Sequence, residues 1–283
     1  MTPNIVHSIR DRLLSISRQQ RTDYNRILSR YAIERFMYRL SISEYADRFV
    51  LKGAMLFSLW FGNEARPTKD IDFLGKGEFS FDLLRSLFFE VCKIEVPEDG
   101  IIFETDSIEI KDIREGELYN GLQATIASRL GSAALKVSVD VGFGDAVFPS
   151  PRKEKYPTLL DMPAPIILVY PPETVIAEKF DAVLALGMRN SRMKDYFELW
   201  TLSQGRDFNI EILLQSIKQT IERRGRQLPT EVPVGLTSDF ATDPQKQLQW
   251  NAFLRRLGVS GDEYELERVV SNIREFLEPI ISP

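Results

Sequence analysis

The chain has 283 residues, 43% of them hydrophobic, with one cysteine, one histidine and a formal net charge of −5. A single Cys92 excludes an internal disulfide and a cysteine-based zinc cluster, and a single His7 leaves triad chemistry and histidine-ligated metals almost no residues to use. Carboxylates are abundant, so carboxylate and metal chemistry stays open. The length suffices for one large core or two smaller ones, with no repeat array. No apolar run is long enough to span a bilayer, and the polar, Arg-rich N-terminus lacks the apolar stretch of a secretory signal, so we expect a soluble cytoplasmic protein without a membrane partner.

From the N-terminus, helices are expected over 3–18 and 22–42, within a helical segment 1–47. Tyr24, Tyr31 and Tyr38 recur every seven residues with Ile27 and Leu28 between them, a helical period that reads as core packing. Residues 1–40 carry Arg10, Arg12, Arg18, Arg21, Arg26, Arg30, Arg35 and Arg39 against Asp11, Asp23 and Glu34, a surplus of five positive charges in an acidic chain. Such asymmetry points to polyanion contact, with a solvated helix face as the alternative.

Residues 48–148 read as an α/β core. Phe49 to Leu51 is a buried strand, Lys52-Gly53 a tight turn, and Ala54 to Phe61 a short helix whose first N–H groups face a phosphate. Arg66-Pro-Thr-Lys-Asp-Ile-Asp-Phe follows. Side chains alternate along a strand, so Asp70 and Asp72 share a face, where their charges repel unless a cation intervenes. Mg²⁺ is commonly held by one or two carboxylates plus substrate phosphates. Ile101 to Ile113 and Leu118 to Arg129 read as two antiparallel strands around residues 114–117. In Ala134 to Phe143, Leu135, Val137, Val139 and Val141 form one face, and Lys136, Ser138, Asp140 and Gly142 the other. Asp140 completes three carboxylates for two cations, two Mg²⁺ with Mn²⁺ as the alternative, unless it is an ordinary solvent-facing strand residue. Lys52 is either a triphosphate contact or a solvated turn residue. Thr68 shares the face of Asp70 if the strand reaches back that far, and β-propensity explains it equally well. Arg66 suits a phosphate, or a carboxylate such as Glu64.

A Pro-rich connection is expected over 149–172 and a helical region over 173–283, with helices near 173–188, 191–203, 209–224, 243–257 and 262–278 and a long loop over 228–243. Ile176, Lys179, Phe180 and Val183 follow helical spacing, which puts Lys179 on an apolar stripe. A lysine there snorkels or meets an anion, either a triphosphate or a carboxylate.

Four ordered motifs together resemble the AbiEii-type toxins of the DNA polymerase beta-like nucleotidyltransferase superfamily. They are Lys52-Gly53-Ala54; Arg66, Thr68, Asp70 and Asp72; Pro171 to Phe180; and Arg189 to Trp200, spanning about 45–205. Ala54 replaces the second Gly or Ser of the family's turn, so a phosphate contact there would come from backbone N–H groups and not from a hydroxyl. The resemblance implies an α+β fold: a polymerase beta-like core of mixed sheet and flanking helices, with N-terminal helices and a helical C-terminal region. It implies a toxin that transfers nucleotides from an NTP to an RNA 3′-end, a tRNA acceptor stem in particular, and a cognate antitoxin partner. It gives metal binding to Asp70, Asp72 and Asp140, catalytic roles to these and to Lys179, and a catalytic or site-organising role to Asp195. Substrate contacts fall to Lys52, Gly53, Arg66 and Thr68, the last also a hydroxyl that related toxins modify. Spacing alone equally fits a salt bridge from Asp195 to Arg192 or Arg189. The rivals are a small-molecule nucleotidyltransferase of the aminoglycoside-modifying kind and a non-catalytic nucleotide-binding module.

Overall fold

The computed structural model describes residues 3–62, 68–114 and 120–281. The chain divides into two compact units, one of residues 1–144 and 151–170, the other of 145–150 and 171–283.

The first unit is a mixed sheet with helices packed against it. Its strands are β1 (Phe49–Lys52), β2 (Asp70–Gly75), β3 (Ile101–Phe103), β4 (Glu109–Arg114), β5 (Asn120–Leu130), β6 (Ala133–Phe143), β7 (Arg152–Lys155) and β8 (Ile166–Val169). The sheet order is β3-β5-β6-β2-β1-β8-β7, with β4 also paired to β5. β2 runs antiparallel to β1 and parallel to β6, and β8 joins β1 in parallel.

Helices α1 (Pro3–Gln19), α2 (Tyr24–Ser41), α3 (Met55–Phe61) and α4 (Phe81–Lys93) complete the unit. α2 packs on α1, α4, β6 and β8. Its Phe36 meets Phe88 of α4 edge-on at 5.3 Å, and Phe49 of β1 contacts both Phe73 of β2 and Phe88. The buried sheet face is Phe49, Leu51, Ile71, Phe73, Val139, Val141, Ala124 and Ile126, all fully enclosed. The period-two pattern puts the intervening Lys52, Asp70, Asp72 and Asp140 on the opposite face, which on β1 and β2 also carries the buried Val50 and Leu74.

The structure departs from the sequence expectation in four places. The strand expected over 101–113 is two strands parted by a 3-10 turn at Thr105–Ser107. There the Ser107 hydroxyl donates to the Glu104 carbonyl and accepts the Ala127 N–H, replacing a ladder bond. α4 is a helix the sequence analysis did not anticipate; Ser80 caps it, and Leu84, Leu87, Phe88 and Val91 form its buried stripe. The 149–172 stretch contributes β7 and β8, whose flanks and not interiors hold the prolines. In the second unit, the expected loop over 228–243 contains α8 (Ser238–Thr242) and buries Leu236 and Phe240. The turn expected at 114–117 falls largely outside the described residues.

The second unit is helical: α5 (Pro172–Leu186), α6 (Met193–Gly205), α7 (Ile210–Arg223), α8, α9 (Pro244–Leu257) and α10 (Leu266–Ile281). α5 packs along α7, and α10 along α6. Phe240 of α8 stacks on Tyr196 at 4.9 Å, and the Tyr196 hydroxyl donates to the Gly235 carbonyl, which fixes the would-be loop to α6. No described helix is long and apolar enough to cross a membrane.

One polar link inside the first unit is buried almost completely. Arg39 of α2 holds Asp99 through two bonds, of 2.6 and 3.3 Å, and Asp99 also accepts the Ile101 N–H at the start of β3. Removing one partner of such a pair leaves an uncompensated charge. We expect Asp99→Ala to lower stability by about 3–5 kcal/mol in chemical denaturation, and Arg39→Met with Asp99→Leu to recover most of that loss.

Candidate active site

The polar face of the sheet gathers the sequence-predicted carboxylates. β2 lies between β1 and β6 with Lys52 opposite Asp72 on one side and Asp140 opposite Asp72 on the other. Register partners project to the same face, so Lys52, Asp72 and Asp140 form a row across three strands. Asp70 sits one pleat along the same face, opposite Ser138. Asp70 is exposed, while Asp72 and Asp140 are half-buried.

The turn after β1 explains its glycine. Gly53 has φ of +69°, and a Cβ there would overlap the Asp72 carboxylate. The residue must be glycine for its backbone conformation and for the closeness of that carboxylate. The Lys52 ammonium lies 5.4 Å from the Tyr170 ring centroid. Tyr170 in turn is tied to β1 by its N–H bond to the Leu51 carbonyl.

Thr68 stands ahead of the strand, which begins at Asp70, and so does not extend its face. Its hydroxyl donates to the Asp70 carbonyl at 3.2 Å, securing the strand's entry. Arg66 lies outside the described residues.

Gln123 is a site residue that sequence reasoning missed. Its amide Nε2 donates to Asp140 Oδ1 at 2.8 Å, and it faces Asp140 in register on β5. The signal was available in the sequence: Leu130 pairs with Ala133 around Gly131-Ser132, a two-residue hairpin turn that sets the entire β5–β6 register.

Asp70, Asp72 and Asp140 offer only oxygen donors, which suits a hard divalent cation. Among the described residues no three acidic, histidine or cysteine side chains form a ready-made metal cluster. An Mg²⁺ site of one or two carboxylates completed by substrate phosphates needs no such cluster, so the donor set fits.

Lys179 and Asp195 belong to the helical unit. The Lys179 ammonium donates to Asp195 at 3.0 Å and also pairs with Glu198, so the anion its apolar stripe calls for is a pair of carboxylates. Burial disfavours the ammonium, but the charges of Asp195 and Glu198 outweigh it and raise the Lys179 pKa above the ordinary value. Burial likewise opposes ionised Asp195; Lys179 and then Arg192 overcome it and hold the carboxyl below the usual range. The Arg192 bond to Asp195 fits the spacing alternative, although Asp195 is buried and not on the helix surface. Cys92 is half-buried, its thiol pushed up to about 12 by burial, and is no nucleophile.

A mixed sheet presenting carboxylates in register beside a glycine turn is the architecture expected of a nucleotidyl-transfer enzyme. The profile described as nucleotidyl transferase AbiEii toxin, type IV toxin–antitoxin system, matches residues 35–274, and the chain belongs to that family. The match runs well past the motifs that end near residue 205 and takes in most of the C-terminal helices. Two solved structures are similar at 16% identity: a candidate nucleotidyltransferase from H. pylori (TM-score 0.48, covering 87% of this chain and 90% of that one) and JHP933 from Helicobacter pylori (0.49, 87% and 88%). Likeness at that level bears on neither substrate nor mechanism. No curated protein matches the chain. The family makes the chain a toxin-type nucleotidyltransferase and implies a nucleotide substrate and an antitoxin partner.

Two substitutions separate positioning from folding. Gln123→Leu should leave stability within about 1 kcal/mol, because the site is only half-buried, yet weaken Mn²⁺ binding measured by titration calorimetry. Lys179→Ala should instead strand Asp195 and Glu198 and lower stability by about 3–5 kcal/mol, with Lys179→Arg recovering part of it in thermal and chemical denaturation.

Proposed function

We propose that this toxin transfers a nucleotide from an NTP to the 3′-end of an RNA, the 3′-hydroxyl attacking the α-phosphate and pyrophosphate leaving, a tRNA acceptor stem being the acceptor the family resemblance favours, and that it arrests growth until its antitoxin intervenes. The observation that carries this is the row of Lys52, Asp72 and Asp140 with Gly53 against the Asp72 carboxylate. A lysine beside paired carboxylates, next to a glycine turn, can receive both a triphosphate and its cations.

Each side chain then has a part. Asp70, Asp72 and Asp140 would hold two Mg²⁺ ions or Mn²⁺ in their place, and Asp140, oriented by Gln123, faces the attacking hydroxyl and helps draw off its proton. Lys52 and the Gly53–Ala54 backbone meet the phosphates, with Arg66 assigned to the same task by its motif. Thr68 steadies the strand that carries Asp70. When bound, the ions supply Lewis-acid stabilisation of the entering and departing oxygens at the α-phosphate. For Asp195 and Lys179 the bond between them supports an organising role for both over a direct one. The absence of a membrane-spanning helix among the described residues is compatible with a cytoplasmic toxin.

The test is direct. Purified protein is incubated with each α-labelled NTP in turn, Mg²⁺ and total cellular RNA, and label should enter an RNA band with one nucleotide preferred. Asp70→Ala should abolish transfer and growth inhibition while stability holds or rises, because removing one of several like charges relieves repulsion. Label that never enters RNA, or an Asp70→Ala protein that unfolds, would overturn the assignment.

A further inference from the structure

The tip of the α1–α2 hairpin carries Arg18, Arg21 and Arg26, all exposed. Their guanidinium groups have no hydrogen-bond or ion-pair partner among the described residues. The other arginines of the hairpin that lie partly or wholly inside are engaged: Arg10 with Ser132, Arg30 with Glu34, Arg35 with the Pro163 carbonyl, and Arg39 with Asp99. The pairing of Arg30 removes it from the arginines that sequence alone offers to a polyanion.

Two of the three tip arginines stand where local physics disfavours them. α1 closes with the Thr22 N–H on the Ser17 carbonyl at 3.0 Å and the Arg21 N–H on the Arg18 carbonyl at 3.3 Å. That is the two-bond helix ending whose left-handed residue is normally glycine or asparagine, and here it is Arg21, at φ 49°, the one non-glycine residue with positive φ among the described residues. Arg26 is the third residue of α2, its N–H bound by the capping Asp23 side chain. That position lies at the positive end of the helix dipole and favours an acidic residue, yet the first turn of α2 contains none. Neither arginine helps its own helix. An anionic partner supplies the missing reason for both.

We propose that this hairpin tip is the surface that grips the phosphate backbone of the RNA acceptor; the identity of the acceptor rests on the nucleotide-transfer function above. An anionic membrane is the poorer fit. The outward side of α1 is Ser8, Asp11, Arg12, Ser15 and Gln19, with no large apolar side chain to insert, while Ile9 and Leu13 are buried within the unit. Three guanidinium groups, one from each side of the turn and one within it, suit neighbouring phosphates of a nucleic-acid strand.

The test exploits opposite signs. Arg21→Gly, Arg26→Glu and the triple Arg18→Gln, Arg21→Gln, Arg26→Gln protein are compared with the parent, full-length, for thermal stability and for binding of labelled unfractionated tRNA by anisotropy between about 50 and 200 mM salt. Arg21→Gly and Arg26→Glu should melt at the parent's temperature or above it and bind tRNA more weakly. The triple variant should bind about tenfold or more weakly, and its log K against log salt slope should flatten by about 0.7–0.9 for each phosphate that is no longer neutralised. Variants that melt lower and bind tRNA with the parent's affinity and slope make these arginines structural and overturn the proposal. So does a parent that binds phosphatidylglycerol vesicles through the tip and not tRNA. Nucleotide transfer is followed in the same samples. A parent that labels RNA while the triple variant binds it undiminished rejects the surface and keeps the reaction; a parent that binds tRNA through the tip but never labels it rejects the reaction and keeps the surface.

Discussion

The chemistry of the first unit depends on the register of one strand. β2 is antiparallel to β1 and parallel to β6, and only with this pairing does Asp72 fall between Lys52 and Asp140. A slip of one residue on either side would turn the aspartates into the aromatic core and Ile71 and Phe73 to the polar face. Phe49, Phe73, Phe88 and Phe36 make such a slip expensive, because each loses buried area and ring contacts together. The hydrophobic side of the sheet thus sets the position of the polar side. Asp72 and Asp140 are held opposite each other by packing on the far face.

The helical unit handles charge in the opposite way. Lys179, Asp195, Glu198 and Arg192 neutralise one another, as do Asp181 with Arg224 and Arg226. The last group takes Arg224 and Arg226 out of the pool of cations open to an RNA. A buried lysine with two carboxylates has its charge satisfied internally, so its loss acts on folding first. On the sheet Asp70 is exposed, and Asp140 is half-buried and held by the neutral amide of Gln123.

Much of the candidate site was legible in the chain. Asp-x-Asp with alternating Ile71 and Phe73 identifies a half-buried strand, and Val137, Val139 and Val141 do the same for the strand of Asp140, because the period of two is a local property of sequence. Gly53 was legible as a turn; that its missing side chain makes room for the Asp72 carboxylate was not. Gln123 lay within reach of the Gly131-Ser132 hairpin count. The helix α4 also carried its signals, a Ser80 cap and an amphipathic stripe. β8 is different: its four residues enter the sheet beside a strand more than a hundred positions earlier, and no local pattern names that partner.

The sequence by itself determined the chemistry available, carboxylates and lysines in place of thiols and imidazoles, the faces on which they stand, and the family to which their order belongs. Tertiary structure decided which charges meet. Lys179 was equally open to a phosphate or a carboxylate until α6 brought Asp195 and Glu198 to it. The N-terminal arginines formed one basic block until folding buried Arg35 and Arg39 and left Arg18, Arg21 and Arg26 outside. The physical reason is the same in both cases. Helical and strand periodicities are written in neighbours a few residues apart, whereas the partner of a charge is chosen by burial, and burial depends on which distant elements pack together.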